Sequence, residues 1–177
     1  MILLSVDPGL NGCGVALWDG PRLLRAEYVV NQAVDSAKVD LFERAREMAL
    51  SVARWVQHPE QVDRAVLELP QTYGGRAAKG DANDLIAIAV VDGALAATFD
   101  KSQLSCTVPR EWKGNIPKPE TKRDYEQDGY IIEQRVRAIP EAGLIQWPTR
   151  GSWKLPMDVA DGVGIGLWWL KKQKVRR

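Results

Sequence analysis

The fold is decided by the stretch Ile2-Leu-Leu-Ser-Val-Asp7-Pro-Gly9 and by a similar one later in the chain, Arg64-Ala-Val-Leu-Glu68-Leu-Pro70. Each is a short apolar run, typical of a buried β-strand, that ends at an acidic residue with a proline close behind it. A carboxylate at the end of a hydrophobic strand is partly desolvated, which costs free energy unless a partner or a metal compensates. Because adjacent strands lie about 4.8 Å apart, acids on neighbouring strands can converge on one cation.

Strands and helices alternate around these two runs. Two further strands are predicted at residues 12–18 and 23–30, joined by the hairpin signal Asp19-Gly20, and a fifth strand at residues 104–108. Helical periodicity predicts helices at residues 36–58, 83–99, 121–139 and 156–172. Three antiparallel strands followed by alternating helices and strands indicate an α/β fold, with a five-stranded mixed sheet and helices on both faces.

Composition predicts one ordinary globular domain over residues 1–177 and excludes several kinds of site. Hydrophobic residues make up 45% and charged residues 27%, and no apolar run approaches the roughly 20 residues that span a bilayer. Cys13 and Cys106 are too few for a disulfide framework, which predicts a reducing, cytoplasmic setting. With these two cysteines and one histidine, a structural zinc site is excluded, and Ser–His catalysis would rest on His58 alone. Any metal chemistry must therefore use oxygen ligands.

Charge is distributed unevenly although the formal net charge is only +1. Residues 1–100 carry a net charge of −5, whereas residues 101–177 carry a net charge of +6. The last seven residues hold five cations and no acid. A basic surface attracts polyanions, but lysines and arginines at a helix C-terminus are also favoured by the helix dipole. The tail alone favours this second explanation.

Two more acids, Asp158 and Asp161, lie three residues apart on the predicted terminal helix. That spacing places both on one face, with Asp158 in the first turn. Singly, each of the four acids has a structural explanation as a turn former, an ion-pair partner or a helix cap. Together, at two strand ends and one helix start, they indicate a site for Mg²⁺ or Mn²⁺, of the kind in which two ions cleave a phosphodiester.

Four motifs in this sequence resemble the RuvC-type Holliday junction resolvases of the ribonuclease H-like superfamily. They occur in the order of that family and cover nearly the whole chain. The motifs are Ser5-Val-Asp-Pro-Gly-Leu-Asn-Gly-Cys-Gly-Val15, Leu67-Glu-Leu-Pro-Gln-Thr-Tyr73, Val108-Pro-Arg-Glu-Trp-Lys-Gly114 and Met157-Asp-Val-Ala-Asp-Gly-Val163. The diverged loops and small size look like a phage-encoded version.

The resemblance implies a single ribonuclease H-like nuclease domain that acts as a crossover junction endodeoxyribonuclease. Such an enzyme resolves four-way (Holliday) DNA junctions by paired symmetric nicks. The resemblance also implies two Mg²⁺ ions per active site, for which Mn²⁺ substitutes. By position in the motifs, the catalytic and metal-binding carboxylates are Asp7, Glu68, Asp158 and Asp161.

The resemblance further implies contacts with junction DNA and with a second copy of the chain. An aromatic in the loop after Glu68, here Tyr73, would wedge against bases at the junction centre, where stacking is worth roughly 1–3 kcal/mol. The helix from Asn83 to Phe99 would form the homodimer interface, and no membrane partner is expected. The cations expected to contact the DNA backbone are Arg76, Lys79, Lys113, Lys118 and Lys122.

Other functions compete with this interpretation. A related nuclease of the same fold would act on RNA–DNA hybrids or other branched DNA, and dimerisation distinguishes it, because paired nicks need two sites. A junction-binding protein without catalysis is disfavoured because all four acids are present. An actin-like sugar kinase or ATPase needs two large lobes, for which 177 residues are too few. The sequence assigns no role to Trp147 or Trp153.

Overall fold

A computed structural model of the chain describes residues 1–33, 40–71 and 82–175. Within these residues, six strands form one mixed sheet: β1 (Ile2–Asp7), β2 (Gly12–Asp19), β3 (Arg22–Val30), β4 (Arg64–Glu68), β5 (Leu104–Thr107) and β6 (Ile145–Gln146). Their order across the sheet is β5-β4-β1-β2-β3-β6. The first three strands form an antiparallel meander, whereas β4 runs parallel to β1, β5 to β4, and β6 to β3.

The helices cover both faces of this sheet. They are α1 (Leu41–Val56), α2 (Ala82–Ala96), α3 (Pro109–Trp112), α4 (Lys122–Asp128), α5 (Ile131–Arg137) and α6 (Leu155–Val175), with short 3-10 helices at Pro59–Gln61 and Ala142–Leu144. One apolar core lies between the sheet and helices α1 and α2, and a second lies between the sheet and helices α5 and α6. No helix in the described ranges is both long and apolar enough to cross a membrane.

The predicted α/β architecture is confirmed, but the sheet has six strands within the described residues, not five. The additional strand, β6, has only two residues and pairs with the outer edge of β3 through Ala26 and Ile145. A two-residue strand carries no alternating pattern of apolar and polar residues, so periodicity does not reveal it. Its position is set by tertiary pairing.

The predicted helix at residues 121–139 is also wrong in one respect, because it is two helices. A capping box begins α4, in which the side chain of Thr121 accepts from the backbone of Asp124 and the side chain of Asp124 accepts from the backbone of Thr121. Gly129 ends α4 with a φ of 70°, a left-handed conformation that glycine adopts without strain. The break separates α5 from α4, and Tyr130 at the junction is buried.

The terminal helix α6 lies directly against the backbone of β2 and β1. A Cβ atom on Gly14 would lie 1.8 Å from the carbonyl oxygen of Asp158, and one on Gly162 would lie 2.5 Å from the carbonyl oxygen of Gly14. The hydroxyl of Ser5 donates a 2.7 Å hydrogen bond to the carbonyl of Gly162, and the indole of Trp18 donates to Ser5 at 3.2 Å. This close approach fixes where the first turns of α6 lie relative to the end of β1.

We predict that Gly14→Ala destabilises the protein by about 3 kcal/mol or more, because the new methyl group meets backbone atoms that cannot rotate away. Thermal denaturation followed by circular dichroism measures the effect. Gly143→Ala is the matched control, because this glycine is exposed in the short 3-10 helix Ala142–Leu144 and nothing lies within 4 Å of its Cβ position. The control should be neutral or stabilise by roughly 0.5–1 kcal/mol. Equal melting temperatures for Gly14→Ala and the unmodified chain would contradict this account of the packing.

Candidate active site

Two acids reach the same edge of the sheet because their strands are parallel neighbours. Asp7 is the last residue of β1 and Glu68 is the last residue of β4. The residues before them, Val6 and Leu67, are paired in the register of the two strands. Parallel strands end at a common edge, so the two carboxylates leave the sheet side by side, as the sequence predicts.

The other two acids approach that edge from α6. Asp158 lies in the first turn of the helix and Asp161 one turn further on, on the same side. Asp161 has no exposed surface, whereas the side chain of Asp158 is 30% exposed. The phenol of Tyr130 donates a 2.6 Å hydrogen bond to Asp161 Oδ1. The end of the sheet and the start of α6 thus bring together all four predicted acids.

Two lysines from the segment after α3 occupy the space between these acids. Lys118 Nζ lies 2.7 Å from Asp161 Oδ2, 3.1 Å from Asp158 Oδ1 and 3.6 Å from Asp7 Oδ2. Lys113 Nζ lies 3.0 Å from the same oxygen of Asp161. Three carboxylates from two elements of the fold therefore surround the ammonium of Lys118.

The fourth acid is held separately. The indole of Trp112, at the end of α3, donates a hydrogen bond to Glu68 Oε2. This indole belongs to the predicted motif Val108-Pro-Arg-Glu-Trp-Lys-Gly114, whose role in orienting Glu68 the sequence does not reveal. The hydrogen bond from the indole fixes the orientation of the carboxylate and leaves its other oxygen available to bind a cation.

The pKa values of three of the acids are raised, which shows that their ionised forms are unfavourable without nearby positive charge. Burial raises the pKa of Asp7 well above its usual value, and it also raises the pKa of Glu68 and of Asp158. Lysines oppose the effect of burial, Lys118 at Asp7 and Asp158 and Lys113 at Glu68. Burial lowers the pKa of Lys118, but the surrounding carboxylates reverse this and leave it well above the usual lysine value. The carboxylates therefore ionise readily only when a cation lies among them.

A cleft of about 410 Å³ opens over this cluster. Asp7, Glu68, Asp158 and Lys118 line its floor, and Leu85 and Ile88 of α2 contribute to its apolar wall together with prolines and Leu69. Asp161 does not line the cleft and lies below it, fully buried. The cleft thus exposes three carboxylates and one ammonium to a substrate.

The four carboxylates are chemically suited to bind a hard divalent cation, but in this structure three of them surround the ammonium of Lys118. The acids provide only carboxylate oxygens, the ligands that Mg²⁺ and Mn²⁺ prefer. As the side chains stand, no group of three or more His, Cys, Asp or Glu residues in the described ranges is arranged to hold a metal ion. Three of the acids instead converge on the ammonium of Lys118, which shows that the site accepts a cation at that point.

The remaining predicted site residues are distributed unevenly. Tyr73, Arg76 and Lys79 lie outside the described residues, so their proposed contacts with DNA stay predictions. Lys122 lies on the surface at the start of α4, where it forms an ion pair with Glu126 at 3.3 Å. Lys113 belongs to the carboxylate cluster, as Lys118 does. For these three lysines a contact with DNA also stays a prediction.

Tyr130 is a residue that the sequence interpretation misses. Its hydroxyl holds a buried acid of the cluster, and both burial and Asp161 raise its pKa far above the usual value for tyrosine. The glycine before it was the available signal, because Gly129 interrupts an otherwise regular helical pattern.

The two tryptophans without a predicted role support the helices beside the site. The guanidinium of Arg137 lies 4.0 Å from the ring centroid of Trp147. The ring of Trp153 packs against Tyr125 with centroids 5.7 Å apart. Both indoles therefore anchor the segment before α6 to α4 and α5, which helps to place the start of α6.

Comparison with known proteins identifies the fold. No protein-family model and no curated protein matches the sequence. Among solved structures, Thermus thermophilus RuvC is 20% identical with a TM-score of 0.59, and T. thermophilus RuvC in complex with Holliday junction substrate is 18% identical with a TM-score of 0.61; each comparison covers 98% of this chain and 96% of that one.

The yeast mitochondrial Holliday junction resolvase Ydc2 is 12% identical, with a TM-score of 0.64 over 97% of this chain and 78% of that one. These likenesses show that the chain has the fold of the RuvC structures and of the yeast resolvase.

One further acid near the site, Asp92 on α2, is buried, with 5% of its surface exposed. Within the part of the chain that the structure describes, no group donates a hydrogen bond to either of its inaccessible carboxylate oxygens. Burial, with a smaller contribution from Glu68, raises the pKa of Asp92 from 3.8 to about 8. At neutral pH the folded protein therefore holds a proton there that the unfolded chain releases, so stability falls as pH rises from about 4 to about 8.

We predict that Asp92→Asn stabilises the protein in a pH-dependent way, since the amide imitates the protonated acid. The melting temperature of the variant relative to the unmodified chain should be roughly 5–10 °C higher at pH 8 than at pH 4.5. Differential scanning calorimetry at both pH values measures this difference. Asp84→Asn, at an exposed position in the first turn of the same helix, is the control and should show no such change. The same relative melting temperature for Asp92→Asn at both pH values would contradict the assignment.

Proposed function

We propose that this chain is a metal-dependent endonuclease that resolves four-way DNA junctions by paired symmetric nicks. The observation that carries the proposal is the convergence of Asp7, Asp158 and Asp161 on one cation, with Glu68 leaving the sheet beside Asp7. The fold adds support, because two of the similar structures are RuvC bound to Holliday junction substrate and a mitochondrial Holliday junction resolvase.

In this proposal the four carboxylates hold two divalent ions, Mg²⁺ with Mn²⁺ as a substitute. When bound, such ions activate a water molecule and stabilise the leaving oxygen during phosphodiester cleavage. The protein contributes orientation: Tyr130 holds Asp161, and Trp112 holds Glu68. Lys113 reduces the repulsion among the acids from the buried side of the cluster.

The cleft suits a DNA backbone because an ammonium, that of Lys118, lines it beside the carboxylates. The excess of positive charge in residues 101–177 adds cations that could contact phosphates. Phosphate contacts from such cations supply affinity without reading the sequence of bases. Tyr73, Arg76 and Lys79 follow Glu68 in the chain, so we propose that they contact the junction next to the acids.

A homodimer would place two such sites on one two-fold axis, as paired nicks require. The helix α2 leaves Ile86, Ala89 and Gly93 exposed along one side, and Ile86 is 56% exposed. This apolar stripe is continuous at helical spacing, and we propose that it packs against the same stripe of a second copy.

The first test of function is cleavage of a synthetic, end-labelled four-way junction with and without Mg²⁺. Asp7→Asn should slow cleavage by more than about 100-fold, because a direct ligand is removed, while junction binding stays intact or becomes tighter. Asp19→Asn, an exposed acid on β2, should cleave at the normal rate. An RNA–DNA hybrid of matching sequence is the second substrate. If the protein cleaves the hybrid in preference to the junction, it is a hybrid ribonuclease. If it binds the junction without cleaving it, it is a non-catalytic junction-binding protein.

The dimer is tested by light scattering at micromolar concentration. The unmodified chain should have twice the monomer mass of 19.7 kDa, and Ala89→Lys should be monomeric because it buries an unpaired ammonium. Ile88 is unsuitable for this test because it lines the cleft. Ser102→Lys adds the same charge in the exposed turn beyond α2 and should remain dimeric. A mass of 19.7 kDa for the unmodified chain would exclude the dimer.

A further inference from the structure

Lys118 occupies an unusual position for a residue expected to contact DNA. Its ammonium is ion-paired with three carboxylates at 2.7–3.6 Å, so it takes the place of a cation among oxygen ligands. Its backbone lies in the sequence Pro117-Lys-Pro119, where both neighbours restrict the chain. These prolines narrow the backbone conformations from which the long side chain of Lys118 extends.

The two lysines of the cluster differ in how firmly they are held. Lys113 is 11% exposed, forms its ion pair among the described residues with Asp161, and does not line the cleft. Lys118 is 35% exposed and lines the cleft, so its side chain has an open path to solvent. Of the two lysines, Lys118 is therefore the one whose ammonium has room to leave the cluster.

A divalent ion and the ammonium of Lys118 compete for the same oxygens. Asp7, Asp158 and Asp161 each direct one oxygen to Lys118, and those oxygens are the ligands that a metal would require. Two cations within about 3–4 Å of each other also repel strongly in a partly buried site. Binding of a metal among these acids therefore requires the ammonium to leave.

We propose that Lys118 is a tethered counter-ion, which holds the carboxylates together in the metal-free protein and is displaced into the cleft when a divalent cation binds. There its ammonium becomes available to a phosphate of the substrate. This inference rests on the proposed function for the divalent cation and for the identity of the substrate. It makes Lys118 a positioning residue before metal binding and a phosphate contact afterwards, which reconciles its place in the structure with the expected contact with DNA.

Metal binding without DNA tests the exchange. Lys118→Met keeps the apolar stem and removes the charge, so the variant should bind Mn²⁺ at least roughly tenfold more tightly in isothermal titration calorimetry. Without metal it should melt at a lower temperature than the unmodified chain, and saturating Mn²⁺ should raise its melting temperature by more. Lys101→Met, an exposed lysine in the turn before β5, should match the unmodified chain in both measurements. Equal or weaker binding of Mn²⁺ by Lys118→Met would overturn the proposal.

A second measurement uses the unmodified protein, so it does not depend on how a variant folds. Acetylation of Lys118 by an amine-reactive ester, followed by peptide mass spectrometry, should be several-fold faster in saturating Mg²⁺ than without metal, because the ammonium has left its three acceptors. Lys101 should react equally under both conditions. An unchanged or slower reaction at Lys118 would overturn the exchange.

Failure of the proposed function gives a different pattern of results. If metal releases Lys118 but junctions are not cleaved, the proposed nuclease function is wrong and the exchange of Lys118 for metal is supported. If junctions are cleaved but metal causes no change at Lys118, the exchange is wrong and the nuclease function is supported. Absence of Mn²⁺ binding in both the unmodified chain and Lys118→Met would overturn the exchange directly.

Discussion

The structure depends on the direct contact between the backbone of α6 and the backbone of β2. Gly14 and Gly162 allow it, because a side chain at either position would occupy space taken by carbonyl oxygens of the partner element. Without that contact, the helix would sit one side-chain layer further from the sheet. Asp158 and Asp161 would then lie too far from Asp7 to share a cation, so the close packing of two glycines determines whether the acids form a site.

The acids brought together in this way would repel one another strongly if no cation were present. Burial raises the pKa of Asp7, Glu68 and Asp158, and Lys113 and Lys118 lower the resulting cost. The protein thus stays folded in the absence of metal because it contains its own cations. Asp92 on α2, which packs on the opposite face of the sheet from α6, adds a further cost, since its buried carboxyl accepts no hydrogen bond from the described residues. A cluster of this kind reduces stability in order to keep ligands ready, as functional sites commonly do.

Much of the fold could be predicted from the sequence, because the signals are local. An apolar run that ends at an acid predicts a strand end, and the parallel pairing of β1 and β4 follows from the order of strands and helices. Departures occur where the pattern is short or interrupted. The two residues of β6 are too few to show periodicity. Gly129 divides into two the helix that periodicity predicts at residues 121–139.

The sequence by itself determined at which strand end or on which helix face each of the four acids lies, because spacing along a strand or a helix sets the direction of a side chain. Only the tertiary structure decided what lies between them. Lys118 reaches the cluster from a segment without regular structure, Tyr130 reaches Asp161 from a helix junction, and Asp92 is buried by packing of α2. No periodicity relates these residues to the acids. Tyr130 is 31 residues from Asp161, and Lys118 is 40 residues from Asp158, separations over which local spacing carries no information.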